Sequence, residues 1–318
     1  MEQRTVGNSD LVVSLIGMGC NNFSRAGSAT ETYEGSARVI HAAVDAGITF
    51  FDGADIYGSV QGRSEEYLGR ALAGRRDAVV LSTKFGYPTS QLSGEQDWGP
   101  RGSATYVRKA VEASLRRLNT DTIDLLQFHH PDPETPIGVT LAALTALVEE
   151  GKVRYIGQSN FTAAQTREAD RVSRENGFAR FISAQNEYSL LERSPEAGLL
   201  GAVADLGMGF FPYYPLAAGL LTGKYSPSGG EGRLTLTNNP RLADADWGRL
   251  AQYREVCEQA GASPSEVALA WLASRSVVSS VIAGATRVEQ VHQNTAAAEV
   301  RLSPATLAGL DEVFAPAA

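Results

Sequence analysis

The sequence predicts an α/β fold, a (β/α)8 TIM barrel with long active-site loops and additional C-terminal helices. Three observations carry this expectation. Eight strand-like apolar segments recur along the 318 residues, separated by stretches able to form amphipathic helices. Those segments read as apolar runs, as strands covered on both faces do, where a half-exposed sheet would alternate. Polar residues, namely Asp52, Lys84, His129, Asn160, Gln185 and Tyr213, fall at or just beyond successive strand ends. In a barrel those ends converge on one face, which favours it over an open doubly wound sheet.

In chain order the strand segments are "LIGMGC" (15–20), "ITFFD" (48–52), "AVVLST" (78–83), "IDLLQFH" (123–129) and "VRYIGQS" (153–159), then "RFISAQ" (180–185), "MGFFPY" (208–213) and "VVSSVIAG" (277–284). Helices are expected near 36–46, 64–73, 138–149, 163–176 and 196–205. Within "TYVRKAVEASLRRLN", Val107, Val111, Leu115 and Leu118 share one face while Lys109, Glu112, Arg116 and Arg117 take others, the pattern of a surface helix. Further helices near 246–260 and 304–314 are placed over the barrel. The stretches 85–103 and 226–246 are long connections suited to border a catalytic mouth. No low-complexity linker divides the chain, so residues 1–318 are read as one domain.

A formal charge of -8 and a pI near 5.2 disfavour non-specific attraction to nucleic acid or to an anionic membrane. No segment has the length and apolarity of a secretory or membrane-spanning stretch, so cytoplasmic residence is expected. Cys20 and Cys257 are too few for a disulfide framework and are read as free thiols. His41, His129, His130 and His292 form no compact metal-ligand motif, so no metal is expected.

The stretch "GITFFDGADIYG" (47–58) ends an apolar strand in Asp52, Asp55 and Tyr57. With "LSTKFG" (81–86), "IDLLQFHHPD" (123–132), "VRYIGQSNF" (153–161), "AQNEYSLLER" (184–193), "YYPLAAGLLTGKY" (213–225) and "VIAGATRVEQVHQN" (281–294), it resembles the aldo-keto reductase family. The likeness is greatest to bacterial members and to the related voltage-gated potassium-channel beta-subunit branch. It implies a catalytic tetrad of Asp52, Tyr57, Lys84 and His129 for NADPH-dependent reduction of an aldehyde or ketone to an alcohol. In carbonyl reduction, negative charge grows on oxygen as hydride reaches carbon, so a proton donor is needed. Tyr57 suits that role, with Lys84 expected to lower its pKa, Asp52 to hold Lys84, and His129 to orient the oxygen.

None of these side chains supplies a hydride, and there is no GxGxxG fingerprint in a strand–turn–helix setting. The resemblance assigns the nicotinamide end of NADPH/NADP+ to Ser159, Asn160 and Gln185, with Tyr213 stacking on the ring. Leu216, Gly219, Leu220 and Lys224 fall in the loop that covers the dinucleotide. Gly284, Thr286, Arg287, Gln290, Gln293 and Asn294 fall where the family holds the adenosine and phosphate end, with helix-start N–H groups offered to phosphate. Gln290 stands where several members carry arginine, and Gln293 where glutamate is frequent. NADPH is nevertheless expected over NADH.

Phe23, Tyr87, Trp98, His130 and Tyr214 are candidates to surround an apolar carbonyl substrate, and Arg101 to meet an acidic one. A monomer is favoured, since the barrel is a complete fold by itself. The alternative use of the same residues is a nicotinamide-binding, redox-sensing subunit with slow turnover, a role that occurs in the channel branch.

Overall fold

The computed structural model describes residues 1–92 and 94–315; residue 93, within the connection 85–103, and residues 316–318, at the end of the domain assignment, lie outside the described residues. The chain opens with an antiparallel hairpin, β1 (Gln3–Thr5) and β2 (Val12–Ser14). Three-residue strands are too short to leave a periodic signature, and the hairpin was not among the expected strands.

Eight parallel strands follow: β3 (Ile16–Gly19), β4 (Phe50–Asp52), β5 (Val80–Phe85), β6 (Ile123–Phe128), β7 (Val153–Ser159), β8 (Phe181–Glu187), β9 (Gly209–Tyr213) and β10 (Val281–Gly284). They pair in chain order, and β10 returns to pair with β3. The last seam closes through a bridge between Phe210 and Val278, with Phe210 N donating to Val277 O and Ser279 N to Phe210 O. This is the (β/α)8 barrel the sequence predicts. The segment expected as one strand over 277–284 is divided: residues 277–279 close onto β9, and only β10 pairs with β3.

Between strands run α1 (Tyr33–Asp45), α2 (Arg63–Ala71), α3 (Ala104–Leu118), α4 (Ile137–Glu149), α5 (Ala163–Asn176) and α6 (Leu199–Asp205). Side-chain caps start several of them: Thr32 on α1, Ser103 on α3, and a reciprocal Thr162–Gln165 box on α5. Each gives otherwise orphaned N–H groups an acceptor, worth about 1 kcal/mol per cap. The connection after β9 holds two short helices, α7 (Arg233–Leu236) and α8 (Pro240–Ala243), before α9 (Trp247–Ala260). α10 (Pro264–Ala273) was not anticipated. Residues 267–273 are all buried, so it has no polar face to produce a helical period, although its Ser263–Glu266 capping box was readable. α11 (Val288–Ala296) and α12 (Pro304–Val313) complete the chain.

The barrel has one sealed end. Val6, Leu11 and Val13 of the hairpin region pack with Phe50, Leu125, Phe211 and Ile282 in a separate apolar cluster, where the Phe50 and Phe211 rings stack at 4.7 Å. The hairpin is tied to the N-terminal ends of the strands: Asn8 N donates to Gly207 O, Arg4 Nη1 to Val278 O, and Ser14 N to Thr49 Oγ1. Access to the interior is left to the opposite end, where the strands finish.

Candidate active site

Asp52 is the last residue of β4, and Lys84 lies inside β5. The sequence placed this strand at 78–83; it starts and ends later because Arg76–Ala78 form a 3-10 turn. Arg76 fixes that turn by donating to Val79 O, Thr122 O and Asp124 Oδ2. Lys84 is therefore held by the sheet rather than by a loop. Both side chains are almost wholly buried, with Lys84 Nζ 2.6 Å from Asp52 Oδ2 and donating to Gly53 O at 2.8 Å. Removing one partner from such a pair strands a charge in the interior.

Tyr57 sits on the turn after β4, partly buried. Its N–H donates to Ala54 O, while Asp55 N donates to Lys84 O, so the turn is anchored to β5. Lys84 Nζ lies 5.2 Å from the centre of the Tyr57 ring, and the His129 ring is edge-on to it at 6.2 Å. The expected depression of the Tyr57 pKa is not found. Burial pushes the phenol well above its ordinary value, and the Asp52 carboxylate adds to the rise. Lys84 does not offset that rise in the phenol, since it faces Asp52 at contact distance and stands 5.2 Å from the ring centre. Tyr57 is thereby held as a protonated phenol.

His129 follows β6, and its backbone N–H donates to Phe85 O. Burial, then Lys84 and His130, push its pKa well below the usual value, so the ring is neutral at pH 7. Its Nδ1 has no hydrogen-bond partner among the described residues. His130 is half-buried and also lowered by burial. Tyr87 presents its ring edge-on to both histidines, at 4.8 and 5.1 Å, making one aromatic wall with Tyr57.

Asn160, just past β7, has a left-handed φ of 63°. Its Nδ2 donates to His129 O at 2.9 Å and approaches His130 Nε2 and Ser159 Oγ, while its Oδ1 accepts from Tyr213 O–H at 2.9 Å. Burial, with Glu187 adding to it, pushes the Tyr213 phenol up to about 12. Gln185 on β8 spends both amide protons inside the protein, on Asp52 Oδ1 at 3.0 Å and Gln127 Oε1 at 3.3 Å. Its own Oε1 accepts no hydrogen bond from the described residues.

Leu216, Gly219 and Leu220 lie on the connection after β9; Leu220 is buried and Gly219 has a φ of 110°. Lys224 is exposed at its surface, its pKa lowered by partial desolvation and by the Arg287 charge. Neither cation forms an ion pair among the described residues, and the Arg287 charge is felt at Lys224. Gly284 ends β10, and Asn294 Nδ2 reaches its carbonyl at 3.5 Å. Gln290 Oε1 accepts from Thr286 N at 2.8 Å and Arg287 N at 3.2 Å, so these N–H groups, expected to be open to phosphate, are already capped. Gln293 is exposed on α11.

Of the expected substrate residues, Tyr87 and His130 adjoin His129, and Tyr214 stands edge-on to Tyr213 at 5.3 Å. Phe23 is wholly enclosed in the core and offers no surface to a ligand. Trp98 packs edge-on against Tyr106 of α3 at 5.5 Å. Arg101 faces Glu95 at 3.6 Å and Ser90 O at 3.5 Å, so its charge braces the 85–103 connection. The Arg241 guanidinium pairs with Glu187 at 2.6 Å and lies over Tyr214 at 5.6 Å, tying the 226–246 connection to the end of β8. An open groove of about 550 Å³ lies at the opposite, N-terminal end, lined by Thr49, Arg76, Asp124 and Arg154, but those arginines are paired with Asp124.

Two features escaped the sequence reading. Gln127 is wholly buried beside Asp52, and its position two residues before His129, within the segment read as one strand, was the available signal. Asp55 is also wholly buried, and neither carboxyl oxygen has a hydrogen-bond partner among the described residues. Burial and the nearby Glu65 raise its pKa well above normal, against an opposing pull from Arg117. The folded chain therefore holds a proton there that the unfolded chain releases near the ordinary carboxylate pKa. Stability linked to Asp55 is lost as pH rises from that value toward the folded pKa. Asp55→Asn is expected to match the native protein in Tm below about pH 4 and to exceed it progressively at higher pH, measured by thermal unfolding across pH. A constant difference at every pH would show that Asp55 does not carry the linkage.

Residues 15–315 match the sequence profile of the Aldo/keto reductase family. The chain is 36% identical over 322 residues to the uncharacterized oxidoreductase YrpG of Bacillus subtilis (strain 168), covering 99% of this chain and 96% of that protein. It is 34% identical over 326 residues to the aldo-keto reductase str7 of Strobilurus tenacellus, covering 96% and 90% of the two.

Proposed function

The chain belongs to the aldo/keto reductase family, and from that premise we propose that it reduces an aldehyde or ketone to the alcohol with NADPH. The observation that carries the reading is the buried Lys84–Asp52 pair beneath a protonated Tyr57, with neutral His129 beside it. A bound nicotinamide supplies the hydride. Tyr57 gives its phenolic proton to the carbonyl oxygen as charge develops there, and the Lys84 ammonium stabilises the phenolate left behind. His129, uncharged, orients the oxygen by hydrogen bonding without competing as the stronger acid. We assign residues 1–318 to one catalytic domain, cytoplasmic and monomeric.

The donor set fits the cofactor. Gln185, with both protons committed, offers Oε1 to an amide N–H of the nicotinamide carboxamide, and Ser159 retains a hydroxyl proton to donate. Tyr213, fixed through its hydroxyl to Asn160, offers a ring face. Leu216, Gly219, Leu220 and Lys224 cover the dinucleotide, and Gly284, Thr286, Arg287, Gln290, Gln293 and Asn294 take its adenosine end. The Lys224 and Arg287 charges, neither ion-paired among the described residues, favour a phosphate, and so NADPH over NADH. The narrower kinship with channel beta subunits rests on the sequence around Gln290. Tyr87 and His130 suit an apolar carbonyl, and with Arg101 braced by Glu95 an acidic substrate is disfavoured.

The test is incubation of the purified protein with NADPH or NADH and a panel of neutral and acidic carbonyls. Oxidised cofactor and alcohol in equal amounts are expected, with tighter binding of NADPH at fixed salt. Equal affinity for the two cofactors would remove the phosphate assignment, and absence of alcohol product would remove the reductase reading.

A further inference from the structure

We propose that Gln127 is a positioning residue for this reaction: its side-chain amide fixes the orientation of Asp52, and through it the site of the Lys84 ammonium. The proposal rests on the carbonyl-reductase reading. Gln127 lies on β6, opposite Lys84 of β5 and Gly157 of β7 in register, and is wholly buried. Its Nε2 donates to Asp52 Oδ1 at 3.0 Å and to Ser82 Oγ at 2.9 Å. Its Oε1 accepts from Gln185 Nε2 at 3.3 Å, and the same Gln185 nitrogen donates to Asp52 Oδ1 at 3.0 Å.

Asp52, Gln127 and Gln185 thus form a closed ring of three side chains from β4, β6 and β8. These are alternate strands, and barrel interiors fill in layers contributed by alternate strands. A layer of that kind is ordinarily apolar, and a buried amide is costly unless all its hydrogen-bonding capacity is used. Here both Gln127 protons and its oxygen are used. Space for the long side chain comes from Gly157, where an added Cβ would lie 3.3 Å from Gln127 Cγ and 2.3 Å from Ser183 Oγ. A leucine or methionine would fill the same volume without donors. What the amide adds is direction.

The geometry explains what that direction controls. Asp52 has two oxygens, and Lys84 meets only Oδ2. With Oδ1 held by two amides, the carboxylate cannot swing about its terminal torsion to share both oxygens with the ammonium. Lys84 Nζ is therefore stationed 5.2 Å from the Tyr57 ring centre. Gln127 also accepts one of the two Gln185 protons, so it leaves the Gln185 oxygen for the proposed cofactor. It touches neither reacting group and acts only through these two neighbours.

The test compares Gln127→Met and Gln127→Glu with the native enzyme on a carbonyl reduced by the native enzyme, following kcat, KM, Tm and the pH dependence of turnover. Gln127→Met is expected to lower kcat about 10- to 100-fold, the usual range for residues that orient reacting groups from behind, with the carbonyl KM nearly unchanged. Gln127→Glu is expected to recover relative to native as pH falls, because a protonated carboxyl can donate to Asp52 whereas an ionised one repels it. Unchanged kcat and pH profile in folded Gln127→Met would overturn the proposal. So would a loss of rate that merely follows loss of folded protein. If Gln127→Met does not fold, a pH-independent ratio for Gln127→Glu overturns it alone. A native enzyme that reduces no carbonyl would defeat the underlying reductase reading, an outcome distinct from the other failures.

Discussion

Tyr57→Phe is expected to lower kcat/KM for carbonyl reduction about 10²- to 10⁴-fold, the range attributed to a positioned proton donor. The substitution keeps the ring that faces His129 and removes only the hydroxyl, which forms no hydrogen bond among the described residues. Tm and cofactor affinity should therefore stay close to native. A folded, cofactor-binding Tyr57→Phe with native kcat/KM would show that another group delivers the proton. The raised pKa gives a second expectation with a definite sign. The donor form persists through neutral and mildly alkaline pH, so reduction should not lose its acid on the way to pH 8. Alcohol oxidation needs the phenolate instead, and its rate should rise with pH over the same interval. Rate profiles in both directions would check this pair of trends.

Lys84→Met should be as damaging to turnover and also damaging to the fold. Turnover suffers because nothing stabilises the emerging phenolate; stability suffers because Asp52, almost fully buried, keeps its charge without its ion partner. Breaking a buried pair on one side costs about 3–5 kcal/mol. The two effects separate in the double variant Asp52→Asn/Lys84→Met. Neutralising the stranded acid should restore much of the lost Tm, while kcat stays near that of the single variant. Recovery of kcat together with Tm would mean that Lys84 serves the scaffold rather than the reaction.

Much of this site was legible because barrel strands write their inward ends into the sequence as polar residues closing apolar runs. Asp52 after "ITFF" and His129 after "LLQF" are of that kind, and Lys84 was read as lying just past a strand that in fact runs two residues later and includes it. Long amphipathic helices such as α3 were equally plain. What escaped were features whose meaning lies in partners distant along the chain. Gln127 reads as an ordinary strand glutamine until Asp52 and Gln185 are brought beside it across 75 and 58 residues. The electrostatics escaped for a related reason. The pull of Lys84 on Tyr57 was argued from charge alone, whereas burial and the contact with Asp52 decide its outcome. α10 was missed because a helix buried on every side has no polar stripe to set its period.

The sealed end of the barrel also sets an order of assembly. The hairpin that stops it precedes every barrel strand in the chain, yet its seat includes Phe211 and Ile282, and the Arg4 bond to Val278 O spans 274 residues. β3 likewise waits for β10. The nascent chain must therefore carry Val6, Leu11, Val13 and Phe50 without their final neighbours until nearly the whole sequence has emerged. Contacts of such separation close slowly, and the chain is open to wrong association in the interval. Ring closure, which brings β10 beside β3, is therefore the step that depends on separations of this size.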